Sequence, residues 1–142
     1  MCYNEIVKSV IENNFNGMAK KVLIADDDEK FRTMIANALA QAGFTVIEAI
    51  DGEETLKKIR AEKPDIALVD IMMPIKLGFE VLEELQADPD FKNMPIFTLS
   101  HLSQSSDVEK VKRLGAREHL IKTELSIRDL VDKVQAASDS AH

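Results

Sequence analysis

The sequence is poor in cysteine and has no long apolar stretch. Its single cysteine, Cys2, cannot form an intramolecular disulfide, which is typical of a protein from a reducing compartment. No apolar run approaches the roughly 18 residues that suggest a membrane span. The first residues lack the basic and continuous apolar regions of a signal peptide. These features predict a cytoplasmic protein without a membrane partner.

The chain also has no excess of basic residues. It contains 18 Lys and Arg against 25 Asp and Glu, which gives a formal net charge of −7. Because phosphate backbones attract basic surfaces, we expect no direct binding to nucleic acid. A length of 142 residues, of which 45% are hydrophobic and 30% charged, suits one globular domain.

Residues 1–17 differ from the rest of the chain. Apolar residues between Ile6 and Phe15 fall near helical spacing, which predicts a short amphipathic helix. Met18 then begins a stretch that resembles a second natural start. The segment is interpreted either as an extension that is not native or as a helix that packs on the domain or mediates self-association. The main domain is predicted over residues 18–142.

From Lys21 onward, strand-like and helix-like patterns alternate strictly. Fully apolar runs, typical of strands buried on both faces, alternate with stretches whose apolar residues recur at helical spacing. This alternation predicts an α/β fold, namely a doubly wound five-stranded parallel sheet with helices on both faces. The flavodoxin-like strand order 2-1-3-4-5 is the commonest choice. The predicted strands are residues 22–25, 44–48, 66–69, 96–99 and 118–121. The first predicted helix is residues 28–42, the second opens at Asp51 and is broken at Pro64, and the third carries Phe79 to Leu85 and stops at Asp88. The fourth is residues 106–114, and a last one starts from 126.

Short polar and glycine signals mark the helix ends. Asp28 is interpreted as a turn and N-cap residue, and Gly43 as the end of the first helix. We expect the tail at residues 136–142 to fray. Spacings typical of a capping box occur at Asp51 with Glu54, Ser106 with Glu109 and Ser126 with Asp129.

Polar residues follow four of the predicted strands. Asp26 and Asp27 follow the first strand, Asp70 the third, Ser100 the fourth and Lys122 the fifth. The carboxyl ends of parallel strands share one crevice, so these side chains are expected to meet there. Three carboxylates repel each other and need a cation, and Mg²⁺ or Mn²⁺ prefers such hard oxygen ligands. The sequence therefore predicts a site for a divalent cation and a phosphoryl group.

Each of these residues has a role in phosphoryl chemistry. The carboxylate of Asp70 can attack phosphorus and form an acyl phosphate. Lys122 offers a point positive charge to the phosphoryl oxygens, and Ser100 offers a hydroxyl donor. A metal ion neutralises charge as the phosphoryl group arrives.

The segments around these residues closely resemble the receiver domain of bacterial two-component response regulators. The resemblance covers residues 20 to about 137. It rests on KVLIADDD at 21–28, PDIALVDIMMP at 64–74, GFE at 78–80, MPI at 94–96, LGA at 114–116 and Lys122.

The resemblance implies a phosphoacceptor and its metal site. Asp70 would accept a phosphoryl group from a histidine kinase or phosphotransfer protein. Asp27 would bind Mg²⁺ directly and Asp26 through water, with Asp70 and the backbone carbonyl of Met72 as further ligands. The chain would be no ordinary enzyme, since it would catalyse only its own phosphorylation and dephosphorylation.

The resemblance also implies how the signal is passed on. Ser100 and Lys122 would bind the phosphoryl group, and Ser100 would reorient toward it as part of a switch. Phosphorylation would shift an equilibrium at the face of the fourth helix, fifth strand and fifth helix, which an unknown downstream protein reads. A homodimer formed through the same face is compatible with this interpretation. Because the chain ends soon after the fifth helix, we expect a receiver without an output domain.

Five positions depart from the family pattern. His101 follows Ser100, where a small residue is usual, and its imidazole can crowd Asp70 or contact the phosphoryl group. His119 occupies the position of the aromatic switch residue, where an imidazole can rotate or titrate. Thr123 replaces a proline, which predicts a trans bond before it. Leu77 replaces an acidic residue and predicts an apolar partner surface. Met72 replaces a residue that is often polar. Because its apolar side chain cannot position a water molecule for hydrolysis, we predict a long-lived phosphoryl group.

Two other functions compete with a phosphoacceptor. A pseudo-receiver would keep the fold for binding alone, and His101, His119 and Thr123 are the residues that favour it. A phosphatase of the haloacid dehalogenase type would use Asp26 as nucleophile and Asp28 as acid and base. That interpretation leaves the block around Asp70 unexplained.

Overall fold

The computed structural model describes residues 20–101 and 105–140, so the helix predicted within residues 1–17 lies outside the described part. Strands and helices alternate along this part of the chain. The strands are β1 Lys21–Ala25, β2 Thr45–Ala49, β3 Ile66–Asp70, β4 Ile96–Ser100 and β5 Glu118–Ile121. The helices are α1 Glu29–Gln41, α2 Gly52–Glu62, α3 Gly78–Gln86, α4 Ser105–Arg113 and α5 Ile127–Ser140.

The strands form one sheet in the order β2-β1-β3-β4-β5, and every neighbouring pair is parallel. The predicted fold class and strand order are therefore confirmed. β3 lies in the middle, and all five of its residues are buried. None of the helices in the described residues is long and apolar enough to cross a membrane.

The core has two parts, one on each face of the sheet. Alternate residues of a strand point to opposite faces, so Leu23 and Ile24 of β1 belong to different clusters. On one face, α2, α3 and α4 bury apolar side chains such as Leu82 against the sheet. On the other face, α1 and α5 bury Leu39 and Leu130. This arrangement leaves the ends of the strands free to carry polar residues.

The start of β2 differs by one residue from the prediction. The strand begins at Thr45, because the N–H of Phe44 donates to the carbonyl of Leu39 and closes α1 instead of joining the sheet. Gly43 has φ of 100°, the left-handed geometry predicted for a helix end. Asp28 is the N-cap of α1, as predicted.

One prediction about the last helices stays untested and one is wrong. α4 begins at Ser105, and the side chain of the predicted cap, Ser106, lies outside the described part of the chain. The tail from residue 136 does not fray at once, because α5 continues to Ser140 and buries Ala137 and Ser138. The predicted cap of α5 is confirmed, since Ser126 Oγ accepts a hydrogen bond from the N–H of Asp129 at 3.0 Å.

Candidate functional site

The polar residues predicted to meet do lie at the carboxyl edge of the sheet. Asp26 and Asp27 directly follow β1, and Asp70 is the last residue of β3. Ser100 is the last residue of β4, and Lys122 follows β5. The connections from β1 and β3 leave toward opposite faces, which opens a crevice between these two neighbouring strands.

Three carboxylates and one ammonium form the centre of the site. Oxygen atoms of Asp26, Asp27 and Asp70 all lie within 4.8 Å of one another. Asp26 and Asp70 are buried, and Asp27 is exposed. Lys122 Nζ lies 2.5 Å from Asp26 Oδ2 and donates a hydrogen bond of 3.0 Å to Asp70 Oδ2. Lys122 follows β5, yet its ammonium contacts Asp26 at the end of β1 and Asp70 at the end of β3. Neither of these strands pairs with β5.

Burial and charge act against each other on these groups. Burial raises the pKa of Asp26, and the negative charge of Asp70 adds to this, although Lys122 and the N–H of Asp28 oppose it. Burial also disfavours the charge of Lys122. The contact with Asp26 and the charge of Asp70 outweigh that cost and raise the pKa of Lys122. The ammonium thus stays charged at neutral pH.

The residues of this cluster fit a divalent cation. Asp26 Oδ2 is buried and has no hydrogen-bond partner in the described part of the chain, apart from its ion pair with Lys122. One ammonium cannot neutralise three carboxylates, so the crevice keeps an excess of negative charge when all are ionised. Carboxylate oxygens are the donors that Mg²⁺ prefers. The role of the Met72 carbonyl as a ligand stays a prediction.

Two backbone contacts orient the carboxylates. Asp26 Oδ1 accepts from the N–H of Asp28 at 2.9 Å, and Asp70 Oδ1 accepts from the N–H of Met72 at 2.9 Å. Gly78 packs against the backbone of Asp70, since a Cβ at Gly78 would lie 2.5 Å from the carbonyl oxygen of Asp70. Asp70 is therefore held from both its side chain and its backbone.

The side chain of Ser100 forms a hydrogen bond with the side chain of His119. Ser100 Oγ lies 3.1 Å from His119 Nε2, and His119 Nδ1 lies 2.7 Å from Thr98 Oγ1. Burial lowers the pKa of His119, although the carboxylate of Asp107 opposes this shift. The structure thus brings the two predicted switch residues into direct contact.

The other four positions that depart from the family pattern are exposed. His101 and Thr123 are exposed. Met72 and Leu77 are exposed apolar side chains, with 65% and 39% of their surface accessible. No described peptide bond is cis, so the predicted trans bond before Thr123 is confirmed.

Sequence reasoning missed three contributors to the site. Phe31 of α1 places its ring centroid 4.7 Å from Lys122 Nζ, and a ring face attracts a cation. Arg32 donates from Nη1 to the carbonyl of Asp26 at 2.9 Å. Thr98 contacts His119. Of these three residues, only Thr98 could have been found from the sequence, because a hydroxyl group inside an apolar strand needs a hydrogen-bond partner.

Comparison with known proteins agrees with this geometry. A family model described as the response regulator receiver domain matches residues 22–135. The alkaline phosphatase synthesis transcriptional regulatory protein PhoP from Bacillus subtilis is 36% identical over 119 residues. These residues are 84% of this chain and 48% of that protein. The transcriptional regulatory protein PdtaR from Mycobacterium tuberculosis is 32% identical over 119 residues, covering 83% of this chain and 56% of that protein.

Solved structures show the same fold. The receiver domain of the Francisella response regulator 1452 superposes with a TM-score of 0.80 at 29% identity, covering 87% of this chain and 99% of that one. The chemotaxis response regulator CheY4 of Vibrio cholerae gives a TM-score of 0.78 at 29% identity, covering 84% and 99%. The chain spans about half the length of the curated relatives that it matches. It belongs to the response regulator receiver domain family, a signalling domain of two-component systems.

Proposed function

We propose that this receiver is a Mg²⁺-dependent phosphoacceptor in which Asp70 takes a phosphoryl group from a histidine kinase or phosphotransfer protein. One observation carries the proposal above all others. Lys122 Nζ bridges the buried carboxylates of Asp26 and Asp70, within a cluster that holds one carboxylate more. The buried ammonium of Lys122 lies between the carboxylates of Asp26 and Asp70, and the carboxylate of Asp27 adds a further negative charge. Such an arrangement is suited to receive a phosphoryl group and a metal ion.

Asp70 would be the nucleophile. One of its carboxylate oxygens would form a bond to phosphorus while the bond from phosphorus to the donor's imidazole nitrogen breaks, and the nitrogen would keep the electron pair. Met72 N–H and Lys122 Nζ, which both donate to Asp70, would hold the carboxylate in place for this attack. The same ammonium would then balance charge on the phosphoryl oxygens.

The cation would be held by Asp26, Asp27 and Asp70. When bound, Mg²⁺ would neutralise the charge that gathers as a phosphoryl group approaches three carboxylates. Mn²⁺ prefers the same oxygen donors and would substitute for it. Ser100, at the end of the neighbouring strand, would donate its hydroxyl proton to a phosphoryl oxygen.

The downstream step would be a change of protein contacts. The family signals through such changes, and we propose that the face formed by α4, β5 and α5 carries the signal here. The downstream protein, homodimer formation through this face, residence in the cytoplasm and action without an output domain all stay predictions.

The contacts in the described part of the chain add no support to either competing function. Asp28, the acid and base of the phosphatase interpretation, is exposed and accepts from the N–H of Lys30 and of Phe31 as the cap of α1. A pseudo-receiver would have no need of the ion pair between Lys122 and Asp70. It would bind neither Mg²⁺ nor a phosphoryl group, and this separates it from the proposal.

The test is intact mass after incubation with Mg²⁺ and acetyl phosphate. We expect one phosphoryl adduct on the wild-type chain and none on Asp70→Asn. Asp28→Asn is the matched control, because Asn caps a helix as well as Asp does, and this variant should still form the adduct. An adduct that survives in Asp70→Asn, or a wild-type chain that forms none with a purified kinase either, would overturn the proposal.

A further inference from the structure

Two hydroxyl groups hold the imidazole of His119 by both of its ring nitrogens. Nδ1 lies 2.7 Å from Thr98 Oγ1, and Nε2 lies 3.1 Å from Ser100 Oγ. Thr98 and Ser100 are two residues apart on β4, so their side chains share one face of the sheet. His119 is the register partner of Thr98 on β5. The ring therefore links the fully buried hydroxyl of Thr98 to the hydroxyl at the edge of the site.

The imidazole sets the direction of these hydrogen bonds. Burial lowers the pKa of His119 against the opposing charge of Asp107, so the ring is neutral at pH 7. A neutral imidazole has one N–H donor and one nitrogen that accepts. One hydroxyl must therefore donate to the ring while the other accepts from it.

The proposed function, on which this inference rests, selects one of the two directions. Ser100 has a single hydroxyl proton. When that proton goes to a phosphoryl oxygen, Ser100 Oγ can only accept from His119. Nε2 then carries the ring proton, and Nδ1 accepts from the hydroxyl of Thr98.

We propose that His119 is a positioning residue for phosphoryl binding: its Nε2–H holds the oxygen of Ser100 so that the hydroxyl proton faces the phosphoryl group, and Thr98 selects this tautomer by donating to Nδ1. The ring acts while it is held between two hydrogen bonds and needs no rotation. This role differs from that of a phenyl ring at the same position, which could neither donate to Ser100 nor accept from Thr98.

The tautomer can be observed directly in the wild-type chain. The probe is the complex with Mg²⁺ and beryllium fluoride, a tetrahedral mimic of a phosphoryl group, studied by ¹⁵N NMR of the His119 ring at pH 7. We expect a protonated Nε2 and an unprotonated Nδ1. A ring protonated at Nδ1 in this complex would overturn the inference.

Substitutions at Thr98 test the second half of the proposal. Thr98→Val keeps the volume but removes the hydroxyl, so beryllium fluoride should bind about fivefold more weakly, which corresponds to one lost hydrogen bond. Thr98→Ser should restore the wild-type affinity, and Thr45→Val, an exposed Thr on β2, should not change it. The affinity for Mg²⁺ alone should be equal in all four chains. An unchanged beryllium fluoride affinity in Thr98→Val, or a parallel loss of Mg²⁺ affinity, would contradict the inference.

Failure of this inference can be told from failure of the proposed function. A wild-type chain that forms no adduct and binds no beryllium fluoride overturns both. A wild-type chain that binds beryllium fluoride with the other tautomer, or without dependence on Thr98, overturns the role of His119 alone.

Discussion

Met72 places an exposed apolar side chain two residues after Asp70, with 65% of its surface accessible. An apolar side chain cannot orient a water molecule for attack on an acyl phosphate. We therefore predict a long-lived phosphoryl group, and about tenfold faster loss in Met72→Asn, a change of about 1.4 kcal/mol in the barrier. The decay of the adduct, followed by intact mass, measures both rates. Equal decay in the two chains would refute this role of Met72.

His119 gives the stability of the fold a pH dependence. Its pKa in the folded chain lies below the ordinary value of 6.5, so the unfolded chain binds more protons between the two values. The stability contributed by the neutral ring is present above about pH 6.5 and is lost as the pH falls toward the folded pKa. We expect the wild-type chain to lose more stability than His119→Gln between pH 7.5 and pH 5.5.

Urea denaturation at the two pH values measures this difference. Thr45→Val is the matched control, because Thr45 is exposed and carries no titratable group, and it should keep the pH dependence of the wild type. If all three chains lost the same free energy of unfolding, His119 would not be the group responsible.

At the scale of the elements, the loop from β3 to α3 holds an isoleucine in an unfavourable backbone conformation. Ile75 has φ of 71°, which is rare for a β-branched residue, and 74% of its surface is accessible. Asn tolerates this conformation better, and little apolar burial is lost. We predict that Ile75→Asn raises the free energy of unfolding by about 1 kcal/mol, measured by urea denaturation. A decrease would show that the side chain of Ile75 contributes more through contacts than its conformation costs.

The start of α3 is pressed against the end of β3. A Cβ at Gly78 would lie 2.5 Å from the carbonyl oxygen of Asp70 and 2.6 Å from Ile71 Cα, and backbone atoms cannot move aside cheaply. We predict that Gly78→Ala lowers the free energy of unfolding by about 2–3 kcal/mol and also slows phosphorylation, because Asp70 is displaced. Leu77→Ala, an exposed neighbour, should do neither. A fully stable Gly78→Ala chain would mean that the helix shifts without disturbing the strand.

At the scale of the whole molecule, we expect the acidic crevice to couple metal binding to stability. A cation that binds only the folded chain stabilises it by about 2.7 kcal/mol at a hundredfold excess over Kd. We predict a rise in Tm with Mg²⁺ for the wild type and for Asp28→Asn, and a much smaller rise for Asp27→Asn, measured by thermal denaturation. An equal rise in all three chains would place the cation elsewhere.

Most of the fold could be predicted because its signals are local. The apolar run of β3 and the helical stripe of α1 each report a burial pattern within one segment. Their strict alternation allows few topologies once crossovers must be right-handed. The position of Asp26, Asp70 and Lys122 at one edge then follows from the geometry of a parallel sheet.

The errors arose where tertiary contacts decide the outcome. Small polar residues predict fraying of α5, yet Ala137 and Ser138 are buried, and Ala137 packs in the cluster that contains apolar residues of the sheet. The pairing of Thr98 with His119 depends on the register between β4 and β5, which neither strand specifies by itself. The ring of Phe31 beside Lys122 depends on how α1 lies on the sheet.

The most direct test of the central claim is to locate the phosphoryl group at the level of single residues. After phosphorylation with Mg²⁺ and acetyl phosphate, borohydride reduces an acyl phosphate to the alcohol, and peptide mass spectrometry identifies the aspartate that became homoserine. We predict this conversion at Asp70 and at no other aspartate. Conversion at Asp26 or Asp27 instead, or at none of the three, would contradict it.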